Sequence, residues 1–342
     1  MGNFEDEPID ETELNQYLEE GIQMRDLVNL KKAFLSLDTN KDGLIEYDIK
    51  KLGDINKFDL PVQEPNGKTV INFDQFMKIM IDNIKTNDSK VILLTPDGKE
   101  SDATIRLILN HTSGIVDGED SFYGLRRNDP EVSLLDVLEG RTPYNKRRTA
   151  SEKQPGTEFE YSDAGYCVLQ LMIQEIMQAG FEEVVTRYVF EPLGLKKTFF
   201  ASLKTIELRE KDHNLAAGYD SEGALIPGKY PQIPDLAASG LWSTPYELMK
   251  IAEEFSEAAN GRSSFLHRES AREMIKPTEN FSWVSLGLFL RGDDTVVSQG
   301  WGENGQSMLK LNFVTGEIAV VMINQNPDVD QTESGVEQLT SL

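Results

Sequence analysis

Two short stretches of this 342-residue sequence carry side chains whose types and spacing could do chemistry. Asp38, Asn40 and Asp42 place oxygen atoms at alternate positions just before a glycine, and such oxygen ligands suit a hard cation such as Ca²⁺. Residues 161–163, a Tyr-Ser-Asp run, place two hydroxyl groups beside a carboxylate. A hydroxyl becomes a good nucleophile only with a base in reach. The first stretch indicates a metal site, and the second indicates proton-transfer or nucleophilic chemistry.

The first stretch resembles the loop of an EF-hand. A helix predicted over residues 27–37 has one apolar face, and a second apolar-periodic stretch begins at Tyr47. The resemblance implies that Gly43 forms the sharp turn of the loop and that Ile45 pairs with a neighbouring loop. The implied calcium ligands, by side chain or by carbonyl, are Asp38, Asn40, Asp42, Leu44 and Glu46.

Position 12 of this loop departs from the EF-hand pattern. The family has a bidentate Glu there, whereas this chain has Ile49. Because two oxygen ligands are lost, two alternatives stay open: a hand that binds calcium weakly, and a hand that folds without an ion. Residues 71–81 resemble the pairing strand and exit helix of a second hand, whose loop lacks ligand acids. We therefore predict an all-α, EF-hand-like pair over residues 25–85.

Four later segments together resemble the serine β-lactamase and penicillin-binding-protein family. The last of them is followed by two predicted strands that turn at a Thr-Gly pair. The resemblance covers residues 95–330 and implies an α/β domain with an antiparallel sheet flanked by helices. The segments that carry it are residues 104–114, 155–166, 237–245 and 300–305.

Catalysis in the resembled family uses three motifs. A Ser-x-x-Lys pair on a helix supplies the nucleophile and its base, a Tyr-Ser-Asn motif helps proton transfer, and a third motif such as Trp-x-Gly lines the cleft. Here Asp163 replaces the Asn of the second motif, and Glu303 replaces the last Gly of the third. The resemblance leaves as vestigial motif positions Tyr161, Ser162, Asp163, Trp301, Gly302 and Glu303.

The first motif is missing upstream of His111, where the family has it and where the EF-hand-like segment stands here. The one Ser-x-x-Lys in the sequence joins Ser307 to Lys310 on a predicted strand, where residues three apart point to opposite faces. We therefore predict a catalytically inactive pseudoenzyme, not an enzyme, that serves as a binding or structural protein in an assembly. Two alternatives stay open: a calcium-binding regulator, and a residual serine-type hydrolase that uses Tyr161 with Ser162.

The composition indicates where such a protein works. A formal charge of −24 would repel nucleic acid, and no apolar run approaches the roughly 20 residues of a membrane-spanning helix. A single cysteine, Cys167, excludes an intrachain disulfide and favours a reducing compartment. The first residues lack the features of a signal peptide. We expect a cytoplasmic, eukaryotic protein with protein partners, in a cytoskeletal or ciliary assembly as one option, and with calcium as the candidate cofactor.

These patterns together predict an α+β protein. An acidic lead covers residues 1–24, and the all-α, EF-hand-like module covers residues 25–85. The β-lactamase-like domain, without its nucleophile segment, covers residues 90–330. A polar tail, or a last short helix, covers residues 331–342.

Overall fold

The computed structural model describes most of the chain after residue 92 and three short stretches before it. The chain divides into two units, residues 1–89 and 90–342. Within the described residues no helix combines the length and the apolar character that a membrane crossing needs. The described residues are 11–17, 44–47, 69–72, 93–119, 121–126, 129–177, 179–200, 203–211, 215–292 and 294–341.

Two short strands pair in the N-terminal unit, which also has a 3₁₀ helix over Glu11–Tyr17. Strand β1 (Leu44–Tyr47) runs antiparallel to strand β2 (Thr69–Asn72), with Ile45 opposite Ile71. This is the pairing expected between the two loops. The EF-hand pair itself stays a prediction, because its helices lie outside the described residues. So do three of its predicted ligands: Asp38, Asn40 and Asp42.

The C-terminal unit begins with a helical region whose helices start at capping side chains. Helix α1 (Ile105–Leu109) begins after Thr104, whose Oγ1 accepts a hydrogen bond of 3.4 Å from the backbone N–H three residues on. After the two-residue strand β3 (Leu125–Arg126), helix α2 (Leu134–Leu138) begins after Ser133, which accepts the equivalent bond at 3.1 Å. Both caps satisfy N–H groups that the helix leaves free.

Helix α3 (Asp163–Met177) is the centre of this helical region. It is followed by α4 (Phe181–Val185), which continues into a π-helical turn over Thr186–Phe190. The side of α3 that faces α1 and α2 is apolar and buried, which fixes the position of its N-terminal end. The side chains of this core include Ile108, Ile115, Val137, Ala164, Cys167 and Val168.

Short strands and further helices connect the helical region to the main sheet. Strand β3 pairs antiparallel with β5 (Pro231–Gln232), and β4 (Phe199–Phe200) pairs antiparallel with β6 (Leu241–Trp242). Helix α7 (Pro245–Ala259) begins after Thr244, whose side chain caps it, and has proline in its first turn, a position that suits proline. In chain order these elements are β4 (Phe199–Phe200), α5 (Leu203–Lys211), β5 (Pro231–Gln232), α6 (Leu236–Ser239), β6 (Leu241–Trp242), α7 (Pro245–Ala259) and α8 (Arg268–Met274).

The main sheet has four antiparallel strands in the order β10-β9-β8-β7. Its register places Thr295 opposite Asn312 and Gly302 opposite Gly305, so β8 and β9 form a tight hairpin. The strands are β7 (Phe289–Arg291), β8 (Thr295–Gly302), β9 (Gly305–Asn312) and β10 (Ile318–Ile323).

Both faces of this sheet are covered. On one face Val296 packs in a cluster with Ala252 of α7. On the other face Val297 packs with Val336 of the last helix, α9 (Val336–Leu339). Val296 and Val297 are each 1% exposed, so neighbouring side chains on opposite faces are equally buried. The predicted combination of helices with an antiparallel sheet is confirmed.

Two sequence features take definite places in this fold. Ser307 and Lys310 both lie on β9, three residues apart and therefore on opposite faces of the sheet. Residues 331–342, expected as a polar tail or a last short helix, include α9, and Val336 and Thr340 are buried there.

Candidate active site

A polar corner forms where the chain enters α3, and its centre is the Asp117 carboxylate. Asp117 Oδ2 accepts a hydrogen bond from the backbone N–H of Asp163 at 2.7 Å, and Oδ1 accepts one from that of Ala164 at 3.3 Å. A carboxylate is favourable at this end of a helix because the first N–H groups are unpaired and the helix dipole is positive there. Asp117 therefore fixes the position of the first turn of α3.

Ser162 is the N-terminal cap of the same helix. Its Oγ donates to Asp117 Oδ1 at 2.7 Å and accepts from the backbone N–H of Gly165 at 3.0 Å. The residue is 2% exposed. A hydroxyl that is buried and engaged in this way cannot meet a substrate, so the predicted pairing of Ser162 as nucleophile with Tyr161 does not fit the geometry.

His111 positions the residues just before α3. Its Nδ1 accepts a hydrogen bond of 3.1 Å from the backbone N–H of Ser162, and its backbone has a φ of 57°. Burial lowers the pKa of His111 to about 4, so the ring is neutral at physiological pH, as an acceptor at Nδ1 requires. The ring stacks between Tyr161, at a centroid distance of 4.3 Å, and Tyr166, at 5.2 Å.

Tyr161 is the exposed member of this corner. Its side chain is 51% exposed, and its phenol lies close to the carboxyl groups of Asp163 and Asp117. Burial of the phenolic group, followed by the negative charge of Asp163, raises the pKa of Tyr161. The hydroxyl is therefore protonated at neutral pH and can pass a proton only together with a partner.

Asp163 lies close to the buried carboxyl group of Asp235. Burial, and then the charges of Asp235 and Asp117, raise the pKa of Asp163 to about 7. Asp235 is fully buried, and burial raises its pKa to about 6, although the hydroxyl of Tyr144 donates to its Oδ1. Close carboxylates cannot all ionise easily in a low-dielectric site. Asp163 therefore has a pKa close to neutral pH, where its carboxyl group can accept or release a proton.

The third motif lies at the end of β8, on a different element. Trp301 is 53% exposed, and its Nε1 donates to Asn326 Oδ1 at 2.8 Å. Gly302 opposes Gly305 in the hairpin. The Glu303 carboxylate approaches Gly124, where an added Cβ would lie 3.6 Å from Glu303 Oε2.

The sequence did not predict Asp117, Asp235 or Tyr144 as parts of the corner. Asp117 and Asp235 lie in connecting segments, and each meets the start of α3 only through contacts across many residues of chain. Residues in connecting segments show no hydrophobic periodicity. The feature of the sequence that could have indicated Asp117 is that this acidic residue follows a turn with hydroxyl side chains, Thr112 and Ser113. Cys167 is fully buried in the core. Among the described residues, no group of three or more His, Cys, Asp or Glu side chains is arranged to hold a metal ion.

Comparison with known proteins gives one family and a consistent set of relatives. A family model described as Beta-lactamase matches residues 86–339. The Staphylococcus aureus (strain MW2) protein flp is 27% identical over 245 residues, which are 68% of this chain and 45% of flp. This chain therefore spans less than half the length of that relative.

Solved structures share the fold. D-amino acid amidase from Ochrobactrum anthropi SV3 superposes with a TM-score of 0.54 at 21% identity, covering 69% of this chain and 70% of the amidase. EstCE1, a hydrolase with promiscuous acyltransferase activity, superposes with a TM-score of 0.53 at 16% identity, covering 72% of this chain and 74% of EstCE1. At these identities the likeness establishes the fold.

The prediction that this chain is not an enzyme is wrong. It rested on the missing Ser-x-x-Lys motif, whereas the family match and the solved structures point to an enzyme family of hydrolases. The Ser-x-x-Lys motif is one of several arrangements that supply a nucleophile. Attack on a carbonyl group requires a nucleophile, a base and a route for the proton, and these can be arranged in more than one way.

Proposed function

The chain belongs to the beta-lactamase family, and on that premise we propose that its C-terminal domain hydrolyses an amide or ester bond. Tyr161 and Asp163 carry out the proton transfer. The observation that carries the proposal is the exposed side chain of Tyr161 beside the Asp163 carboxyl group, whose pKa is raised. The amidase and hydrolase whose fold it shares act on bonds of this type or transfer acyl groups, as their names state.

Asp163 suits the role of general base. A base works best when its pKa lies near the working pH, and burial and neighbouring carboxylates bring the pKa of Asp163 to about 7. Because the phenol of Tyr161 lies beside Asp163, a proton that Tyr161 takes from solvent or substrate can be passed inward as Tyr161 releases its own. The phenol acts as a relay, and its raised pKa is then no obstacle.

In the proposed reaction water is the nucleophile. Its oxygen bonds to the substrate carbonyl carbon, and its proton goes to Tyr161 as Tyr161 gives its proton to Asp163. When the tetrahedral intermediate collapses, the bond from carbon to the amine nitrogen or alkoxide oxygen breaks. The proton then returns through Tyr161 to that leaving group. The products are a carboxylic acid and an amine or alcohol, and no covalent intermediate with Ser162 is needed.

The test combines intact mass with turnover. After incubation with a penicillin and with a fluorophosphonate, the mass of the protein is expected to be unchanged, while amide or ester probes are hydrolysed. Replacing Tyr161 with Phe is expected to lower kcat by at least about 100-fold, with the melting temperature unchanged. A stoichiometric adduct would instead mean a covalent nucleophile, and undiminished turnover by Tyr161→Phe would remove the relay.

A second function is favoured by the strand pair in the N-terminal unit. The opposition of Ile45 and Ile71 is the pairing that two EF-hand loops require, and it supports a calcium site in the first loop. We propose weak calcium binding, because Ile49 stands where a bidentate Glu would be. The proposed ligands are Asp38, Asn40, Asp42, Leu44 and Glu46.

Calcium titration by calorimetry tests this second proposal. Replacing Ile49 with Glu is expected to tighten the dissociation constant by at least about tenfold, and Asp38→Ala in that background should abolish binding. An unchanged affinity in Ile49→Glu would place any bound calcium elsewhere. Protein partners, and a cytoplasmic, cytoskeletal or ciliary location, stay predictions from the sequence.

A further inference from the structure

A continuous row of aromatic rings leads away from Tyr161. His111 stacks on Tyr161 at 4.3 Å and meets Phe159 edge-on at 5.8 Å. Phe159 in turn lies 4.6 Å from the ring of Trp283. Trp283 also stacks on Phe289 of β7 at 6.1 Å. The row therefore joins the proposed proton relay to an indole at its far end.

Trp283 is presented to solvent by a loop that is held in place. The indole is 46% exposed, which is a large apolar surface to leave in water. Asn280 Nδ2 donates to the carbonyl of Gly156 at 3.0 Å, and the backbone N–H of Leu290 donates to the carbonyl of Trp283 at 2.8 Å. Asn110 Nδ2 also donates to Thr278 Oγ1, at 3.3 Å, on the same loop. The ring is preorganised, so binding there requires little ordering.

The charges around Tyr161 limit what can bind beside this row. Asp163 and Asp117 lie next to the phenol, and Glu160, although paired with Lys153 at 2.6 Å, adds negative charge near Asp117. A ligand carboxylate would be repelled here, whereas a neutral or amine-bearing ligand would not.

We propose that Trp283 and Phe159 bind an aromatic group of the substrate, whose amide or ester bond then lies at Tyr161. The substrate class is an aryl-bearing amide or ester without a carboxylate. This inference rests on the proposed hydrolase function and names its specificity. Trp283 determines which substrate binds, and it takes no part in proton transfer.

The test measures binding separately from turnover, by NMR titration of the full-length chain. N-acetylphenylalanine amide is the probe, and N-acetylalanine amide is the matched ligand without a ring. The titration is repeated in the Tyr161→Phe background, where the proposed relay cannot turn the probe over. Trp283→Ala is expected to weaken binding of the phenylalanine probe about five- to tenfold and to leave the alanine probe unchanged. Trp283→Phe should retain most of the affinity because it keeps a ring.

Tyr188→Ala is the matched control, because Tyr188 is also 46% exposed but lies in the π-helical turn after α4. It is expected to change neither dissociation constant. N-acetylphenylalanine, which has a carboxylate in place of the amide, should bind about tenfold more weakly than its amide. Equal affinity for the two amides, or an equal loss in Trp283→Ala and Tyr188→Ala, would overturn the aryl site. Selective binding without any hydrolysis by the wild type would keep the aryl site and remove the hydrolase proposal.

Discussion

Two carboxyl groups lie in the first turns of two helices, and they differ in what surrounds them. Glu247, in the first turn of α7, is 7% exposed and accepts hydrogen bonds from the backbone N–H groups of Lys196 and Lys197, both at 2.9 Å. The hydroxyl of Thr198 donates to it as well, at 2.6 Å. Although burial acts to raise its pKa, these bonds outweigh that effect, and the pKa of Glu247 is lowered.

Asp163, in the first turn of α3, has the opposite surroundings. Its neighbours are two more acids, Asp117 and Asp235, and the phenol of Tyr161. The backbone N–H groups at this helix end bond to Asp117 instead. Burial therefore dominates, and the pKa of Asp163 rises to about 7. The comparison shows how the hydrogen-bond donors around a carboxyl group relate to its role. A carboxyl group with several donors has a lowered pKa, which indicates a structural role. One with few donors has a pKa raised by burial, which indicates a role in proton transfer.

The largest expected difference between Asp163 and Glu247 is in catalysis. Asp163→Asn removes the proposed base and is expected to lower kcat by at least about 100-fold, whereas Glu247→Gln should keep it within about threefold. In the wild type, kcat/KM should rise with pH and level off above about 7, because the base works only when ionised. Steady-state kinetics between pH 5.5 and 8.5 measure both. Equal loss of activity in the two variants would break the distinction.

The next largest expected effect is on stability, for which Glu247 matters more than Asp163. Glu247→Ala removes the acceptor for two backbone N–H groups and the Thr198 hydroxyl, and we expect it to lower the free energy of unfolding by about 2 kcal/mol. Asp163→Asn, which relieves repulsion among acids, should raise it by about 1 kcal/mol at pH 8. Denaturant unfolding of the full chain compares them. A stabilised Glu247→Ala protein, or a strongly destabilised Asp163→Asn protein, would contradict the assignment of roles.

A smaller effect follows from pH. The folded-state pKa of Asp163, about 7, lies above the unfolded value near 4, so the folded protein binds more protons between these limits. Its contribution to stability is complete below about pH 4 and is lost as the pH rises through 7. Asp235, with a pKa of about 6, acts in the same direction. The unfolding midpoint should therefore fall between pH 5 and 8, and fall less in Asp163→Asn. Glu247, whose pKa is lowered, contributes to stability in the opposite direction. If Asp163→Asn did not flatten the pH dependence of the unfolding midpoint, the titration would belong to another group.

The sequence predicted much of the fold and only the exposed edge of the site. The four family-like segments placed Tyr161 just before a long helix, which is α3, and Trp301 just before two strands, which are β9 and β10. Strand β8, which ends at Gly302, was not predicted. The acidic residues around Asp163 could not be predicted in this way. Asp117 and Asp235 meet Asp163 through tertiary contacts, and no spacing in the sequence encodes a contact between two connecting segments.

The sequence left two roles open for Ser162, a vestigial motif position and the nucleophile of a residual hydrolase. In the structure its hydroxyl caps α3, and serine is a residue type that favours this position. The wrong prediction of a non-enzyme has an identifiable cause. It treated one absent motif as decisive, although most of the remaining chain matched the family.

The smallest predicted effect distinguishes Ser162 as a helix cap from Ser162 as a nucleophile. Ser162→Ala removes the cap of α3, and we expect it to lower the free energy of unfolding by about 1 kcal/mol while kcat changes by less than about threefold. Thr244→Ala, which removes the cap of α7, is the matched control and should cost a similar amount. Denaturant unfolding and steady-state kinetics on the same preparations measure both quantities. If Ser162→Ala abolished turnover and Thr244→Ala did not, Ser162 would be the nucleophile after all, and the water-based mechanism at Tyr161 would have to be given up.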